Sequence, residues 1–259
     1  MRGKSNRVTF DNGRGQQLAG IMEWPAESPP RAFALFSHCF TCTKDLKATV
    51  RVSRRLAEHG FCVLRYDFTG LADSQGDFSK TNFTTNCQDL LAAADFLNDQ
   101  FEGPALLIGH SLGGTATAMM GNQVVSAKAI TTIASPSSTH RLANYLAQTN
   151  PEIEEQGSGT VVIGGSQFTL KKQLLDDLRS YDIEKSMGEL RLPMLMFHSP
   201  LDQTLPYSWG LKMFDSVNSP KSFITLDGSD HLLVNRPDDV NYVADLIEQW
   251  MGRYIGATE

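Results

Sequence analysis

Gly109-His110-Ser111-Leu112-Gly113-Gly114 follows an apolar run from Pro104 to Ile108 and precedes a stretch of small residues able to form a helix. A G-x-S-x-G with a strand before it and a helix after it presents the serine hydroxyl at a sharp corner, where it is a nucleophile. The glycines have a mechanical task, because a Cβ beside such a corner collides with the neighbouring strand and helix. The same letters also fit a glycine-rich helix start with a solvated serine. The reading therefore depends on partners elsewhere in the chain.

A nucleophilic serine needs a base and an acid, and after a corner of this type the chain order is serine, acid, histidine. Leu192 to His198 reads as a buried strand, and Asp202 stands on the loop just beyond it, within Ser199-Pro200-Leu201-Asp202-Gln203-Thr204-Leu205-Pro206. The next apolar run, Phe223 to Leu226, breaks at Asp227-Gly228-Ser229-Asp230-His231, and Pro237 opens a last amphipathic helix. Asp202 and His231 are the candidate acid and base for Ser111. Of the six histidines, His110 adjoins the serine but leaves the corner in another direction, His59 ends a polar helix, and His140 lies in an inserted region. His198, at the end of the strand that carries the acid, is the competitor. Asp227 and Asp230 read as turn formers, as does Asp67 near Gly70.

With these roles His231 takes the proton of Ser111 as it attacks a carbonyl carbon, while Asp202 fixes the tautomer of the imidazole and stabilises its charge. The oxyanion that forms needs donors. One is the backbone N–H of Leu112, the residue after the nucleophile, and the second is expected from the loop after an early strand. Ala32 to Ser37 is that strand, and its loop is His38-Cys39-Phe40-Thr41-Cys42.

Around this centre, apolar runs alternate with amphipathic stretches, as in a mainly parallel sheet with helices on both faces. Val8–Phe10 and Gln17–Trp24 read as an antiparallel pair; Leu46–His59 and Asn86–Asn98 as helices; Phe61–Tyr66, Ala105–Ile108 and Ala129–Ala134 as strands. Over residues 136–191 the alternation fails. A helix at His140–Gln148, a hairpin of Thr160–Ile163 and Gln167–Leu170 about Gly164-Gly165-Ser166, and a helix at Lys171–Tyr181 are expected there as one insertion. Loops at this sheet edge build substrate pockets, so the insertion is expected to be a cap over a single domain spanning 1–259. Leu142, Tyr145, Leu146, Phe168 and Leu174 are its candidate pocket residues, beside His38, Cys39 and His110 from the loops below.

His38 to Lys47, Arg65 to Ser74, Gly109 to Gly114 and Leu226 to Leu233 together give the chain a close resemblance to the α/β-hydrolase superfamily. Within it, the chain resembles the hydrolase half of bacterial proteins in which this domain is fused to an OsmC-type peroxide-reductase domain; ending at Glu259, it is expected to lack that partner. The resemblance implies an α/β-hydrolase fold and makes Phe40 the second oxyanion donor, in the place of x in His-Gly-x. Cys39 replaces the glycine of that motif. Ser199 and Leu205 depart from the usual Gly-x-x-Asp-x-x-Val-Pro, without removing a functional group.

The formal net charge of −6, with basic residues scattered, leaves no footprint for nucleic acid. No apolar run approaches the roughly 20 residues needed to span a bilayer, and Met1 to Arg7 leads into no signal-like segment. A cytoplasmic protein without membrane partner, metal or organic cofactor is expected; the sequence is silent on oligomeric state. The four cysteines, Cys39, Cys42, Cys62 and Cys87, are expected to be reduced, with the Cys39-x-x-Cys42 pair packing beside the oxyanion loop rather than doing redox chemistry. The expected activity is that of a serine hydrolase, a carboxylesterase for small or medium acyl esters. Thioesterase, amidase and lactonase chemistry use the same groups; an accessory role in peroxide defence and a binding module on a hydrolase fold are the other classes.

Overall fold

The computed structural model describes residues 3–26, 29–163 and 165–256. Alternating residues at the start give β1 (Ser5–Asp11) and β2 (Gln17–Glu23), antiparallel about a turn in which Gly13 and Gly15 have positive φ. β3 (Ala32–Ser37) follows, entirely buried, then α1 (Lys47–Glu58) and the equally buried β4 (Phe61–Tyr66). The next helix, α2 (Phe83–Gln100), starts three residues before the expected Asn86. Its Asn82 side chain accepts the Thr85 N–H and the Thr85 hydroxyl accepts the Asn82 N–H, a reciprocal cap that fixes the first turn.

The central crossing is β5 (Pro104–His110), α3 (Leu112–Met120) and β6 (Ala129–Ile133). The inserted stretch comes next: α4 (Thr139–Thr149), α5 (Glu152–Glu155), the strands β7 (Ser158–Ile163) and β8 (Ser166–Lys171), α6 (Lys172–Ser180) and α7 (Ile183–Gly188). β7 and β8 pair antiparallel in the expected hairpin, with Ile163 opposite Ser166, and Gly164 of its turn lies outside the described residues. β9 (Met194–His198), α8 (Tyr207–Ser216), β10 (Lys221–Thr225) and α9 (Pro237–Met251) follow.

Among the described residues, eight strands form one sheet in the order β1-β2-β4-β3-β5-β6-β9-β10, parallel from β4 onward. Strand alternation sends one set of side chains to each face. Ala34, Phe36, Val63, Ile108 and Phe197 join Val52 and Leu56 of α1 and Val243 and Ile247 of α9 on one side. Leu35, Leu64, Leu107, Ile130 and Met196 join residues of α2, α3 and the insertion on the other. This two-sided burial is why the central strands read as continuous apolar runs.

The strand order places the site. From β3 the chain steps to β4 on one side and later to β5 on the other, so a topological switch lies between β3 and β5. In open sheets of this type the crevice beyond the carboxyl ends at the switch is where ligands bind. The loop from His38 to Cys42 and the corner at Ser111 both start there. The insertion leaves the same edge after β6 and is tied to the start of α2: Thr84 Oγ1 donates to Asp177 Oδ1 at 2.6 Å, and Gln173 Nε2 to the Thr81 carbonyl at 2.7 Å. No helix among the described residues is long and apolar enough to cross a membrane.

Candidate active site

Ser111 sits between β5 and α3 with φ 53 and ψ −127, a conformation that a non-glycine residue holds only under constraint. The constraint is visible. Its N–H donates to the Ile133 carbonyl at 2.8 Å, and its carbonyl accepts from the Gly114 and Thr115 amides. The flanking glycines are close-approach positions: a Cβ on Gly109 would lie 2.4 Å from Gly114 Cα, one on Gly113 2.1 Å from the His38 carbonyl oxygen, and one on Gly114 1.9 Å from Ser135 Oγ. Gly113 thus lets the start of α3 press against the end of β3. That contact brings the Leu112 backbone to the loop carrying Phe40, and Cys39, Phe40, Leu112 and Gly113 line one cavity of about 10 Å³.

Asp202 follows β9, where its Oδ1 accepts the Thr204 and Leu205 amides at 2.8 and 2.9 Å. Its Oδ2 lies 2.7 Å from His231 Nδ1 and 3.4 Å from His198 Nε2. Burial acts to raise the Asp202 carboxyl, but the His198 and His231 imidazoles and the Leu205 amide outweigh it and hold the group well below the usual carboxylate range. The carboxylate therefore stays ionised between two histidines. His231, like Ser111 and Asp202, is 8% exposed, whereas His198 is 1% exposed with its Nδ1 unpartnered and its Nε2 also 3.2 Å from the Leu205 carbonyl. Among the described residues no hydrogen bond joins the Ser111 hydroxyl to His231. Such contacts are often loose in ligand-free sites and tighten around substrate.

His110 is not directed away from this cluster. Its Nε2 donates to the His231 carbonyl at 2.7 Å and its ring lies 5.1 Å from that of His231. Burial first, and the neighbouring His231 second, push it down to about 3, so it is neutral. His38 is fully buried, with Nδ1 donating to the Cys39 carbonyl at 2.8 Å and Nε2 accepting the Phe68 amide; burial lowers it too, partly offset by that carbonyl. Each imidazole thus pins a loop of the site to its neighbour.

The expectation of reduced cysteines fails at one pair. Cys39 and Cys42 are joined by a disulfide with Cα atoms 5.2 Å apart, while Cys62 and Cys87 are free and buried. The turn that makes this possible has Thr41 at φ 59 and the Cys42 N–H on the Cys39 carbonyl, which folds the two Cα atoms into bridging range.

The sequence reading also missed what holds the loop from outside. Lys44 is 3% exposed; its N–H and Nζ both donate to Asp67, and Nζ reaches Asp73 at 2.6 Å. Burial would lower the ammonium, but these carboxylates raise it above the usual lysine range. Asp67 is thereby a loop-stabilising group, as its place near Gly70 suggested, Asp73 joins it, and the signal for Lys44 was its place two residues after Cys42. Phe78 was also passed over. Its ring lies 5.7 Å from Phe40 and 5.2 Å from Phe168 of β8, so it joins the two.

The other insertion residues are spread. Leu146 and Leu174 are buried at 7% and 4% exposure, Leu142 packs half-buried against the same core, and Tyr145 is 59% exposed. His59 pairs with Asp245, and His140 is exposed.

A model of the alpha/beta hydrolase family matches residues 32–241, and the chain belongs to that family. It is 39% identical to the esterase domain of a Rhodothermus marinus protein, whose crystal structure superposes with a TM-score of 0.79 over 98% of this chain and 100% of that one. Est1E from Butyrivibrio proteoclasticus with ferulic acid bound shares the fold, with a TM-score of 0.80 at 19% identity over 96% of this chain and 99% of that one. In sequence the chain is 25% identical over 187 residues to the mitochondrial palmitoyl-protein thioesterase ABHD10 of mouse, a match covering 69% of this chain. The match spans 62% of the mouse protein and 66% of its rat counterpart. The chain is thus a hydrolase-family member with esterase and thioesterase relatives.

Proposed function

We propose that this chain is a serine esterase acting on small or medium acyl esters, with Ser111 as nucleophile, His231 as base and Asp202 as acid. The 2.7 Å pair of His231 Nδ1 and Asp202 Oδ2, together with a serine held at positive φ at the end of β5, supports the reading. The carboxylate keeps the proton on Nδ1, leaving Nε2 free to take the serine proton as Ser111 Oγ attacks the ester carbonyl. The Phe40 and Leu112 amides receive the oxyanion. Collapse of the tetrahedral species expels the alcohol with the proton returned by His231, and water, activated by the same imidazole, releases the acid and regenerates Ser111. Residues 136–191 act as a cap on one domain, with Phe168 its nearest link to the acyl site and Leu142, Tyr145, Leu146 and Leu174 around it. The substrate is a dissolved small molecule in the cytoplasm, and no cofactor, metal, nucleic acid or membrane takes part.

The test is covalent labelling by a fluorophosphonate together with turnover of p-nitrophenyl esters of graded chain length. Labelling confined to Ser111, lost in Ser111→Ala, and ester turnover are expected. A protein that neither labels nor hydrolyses any ester of the series overturns the serine-esterase reading. A thioester substrate is the second reading, supported by the palmitoyl-protein thioesterase relative. An acyl thioester turned over at a kcat/KM more than tenfold above its oxygen-ester counterpart favours it.

A further inference from the structure

Phe40 lies inside a closed ring. The Cys39–Cys42 disulfide joins the side chains on either side of Phe40 and Thr41, and the Cys42 N–H closes the same turn through the Cys39 carbonyl at 3.1 Å. Within that ring Thr41 has φ 59, where a β-branched residue is an outlier and stays only when its surroundings hold it. We infer that Cys39 and Cys42 form a thiol–disulfide exchange site through which dithiols and low-molecular-weight disulfides set the turnover of the hydrolase; this rests on the reading of Phe40 as an oxyanion donor.

The two sulfurs differ in access. Cys39 is 3% exposed, and Cys42 is half-buried. An external dithiol thiolate therefore attacks Cys42 Sγ, forming a mixed disulfide and expelling Cys39 as a thiolate that takes up a proton. The second external thiol attacks the external sulfur of the mixed disulfide, closes the external disulfide and releases Cys42, which is protonated in turn. The pair gains two electrons and two protons, and the dithiol loses them. A low-molecular-weight disulfide runs the sequence backwards. Cys62 and Cys87 do not compete, because burial pushes both thiols up to about 12 and leaves them neutral.

With the ring open, no covalent link keeps Thr41 at positive φ. Its relaxation turns the Phe40 peptide away from the Leu112 amide and unseats the Phe40 ring from Phe78. Loss of one oxyanion donor lowers kcat by up to about 10²–10³-fold, so a partial displacement is expected to cost about tenfold or more, with KM little changed.

The experiment equilibrates the full chain in dithiol/disulfide buffers of graded ratio, removes the buffer anaerobically, and divides each sample three ways. Alkylation and mass analysis give the redox state of Cys39 and Cys42, hydrogen exchange reports residues 38–43, and p-nitrophenyl acetate reports turnover. Expected are a fall in kcat and a rise in exchange that both track the reduced fraction and reverse on reoxidation. Thr41→Gly, which accepts positive φ without a cross-link, should narrow the oxidised-to-reduced ratio of kcat, and Cys39→Ala/Cys42→Ala should match the reduced parent at every buffer ratio. Exchange at 38–43 that ignores the redox state, a pair that stays alkylatable in fully oxidising buffer, or equal turnover of both forms overturns the inference. An oxidised protein without esterase activity, but with redox-dependent exchange, instead overturns the esterase reading alone.

Discussion

At the corner after β5, backbone meets backbone. Gly113 stands where any Cβ would lie 2.1 Å from the His38 carbonyl oxygen, and Gly114 where one would lie 1.9 Å from Ser135 Oγ. In the inserted stretch over 136–191 the turn glycine Gly165 has nothing within 4 Å of its own missing Cβ, and Tyr145 and Val162 are 59% and 66% exposed. The first region fixes atoms by excluding space. The second meets the rest of the molecule through contacts that involve side chains, such as Thr84 with Asp177 and Phe78 with Phe168. A change at the corner should therefore act on chemistry or on folding as a whole, whereas a change in the insertion should act on selectivity.

The sharpest test of the corner is chemical. Ser111→Ala and His231→Ala should each lower kcat by about 10⁴ or more, and Asp202→Asn by about as much, because an amide facing Nδ1 favours the wrong tautomer. Circular dichroism and urea midpoints should show all three folded. His198 makes the comparison informative, since it touches the same carboxylate oxygen at 3.4 Å. If His198→Asn abolishes turnover while His231→Ala keeps it, the base is misassigned.

The glycines come next. Gly113→Ala forces a collision with a backbone carbonyl that no rotamer relieves, so it should destabilise by about 3 kcal/mol or more, at or beyond the upper end of ordinary overpacking. Gly165→Ala, at φ +82 in open space, should cost only about 1–2 kcal/mol for the left-handed backbone. Urea midpoints of the two variants measure the contrast directly. Equal losses would mean that the corner is no more tightly specified than the hairpin.

The same contrast explains what was legible in the sequence. The sheet, the corner at Ser111 and the places of Asp202 and His231 on the loops after β9 and β10 could be read because continuous apolar runs and turn-breaking residues are local signals. The hairpin was legible for the same reason. The start of α2 was misplaced by three residues because its cap uses Thr85 where the usual pattern has Glu or Gln. The disulfide, the Lys44–Asp67 clasp and the Phe40–Phe78–Phe168 chain were not legible, because each depends on where loops meet in space. A Cys-x-x-Cys spacing says nothing of whether φ at Thr41 folds the two Cα atoms together.

Acid stability is a smaller effect that also separates the regions. His110 titrates at about 3 instead of 6.5 because burial keeps it neutral. Between those values the unfolded chain binds a proton that the folded chain refuses, so stability falls as pH drops from 6.5 toward 3. Asp202 acts in the same direction, since its depressed carboxyl contributes stability that is present above its unfolded value and lost as pH falls toward the folded one. His110→Gln, which can still donate to the His231 carbonyl, should flatten the urea-midpoint profile across that window while leaving pH 7 stability nearly unchanged. His140→Gln, at an exposed position in the insertion, is the matched surface control. A parent-like slope in His110→Gln would mean that the acid loss arises elsewhere, with buried His38 the next group to change.

The smallest effect is expected at Phe168 of the insertion, and it decides whether that stretch is a cap at all. Phe168 is one aromatic ring removed from Phe40, through Phe78, while Tyr145 faces solvent and Leu146 and Leu174 are buried in the core. Phe168→Ala should then shift the preference between acetyl and longer acyl esters by about 1 kcal/mol, near the low end for one apolar contact. Tyr145→Ala should leave the profile unchanged. Leu146→Ala and Leu174→Ala should instead lower stability by about 2–5 kcal/mol, as large-to-small changes in a core do, with selectivity following only if the insertion loosens. The partly buried Leu142 lies between these cases, and its alanine variant should show a weaker form of the Phe168 effect. Chain-length profiles of kcat/KM for the five variants provide the measurement. If Phe168→Ala superimposes on the parent, the aromatic chain is packing alone and the insertion is a peripheral decoration.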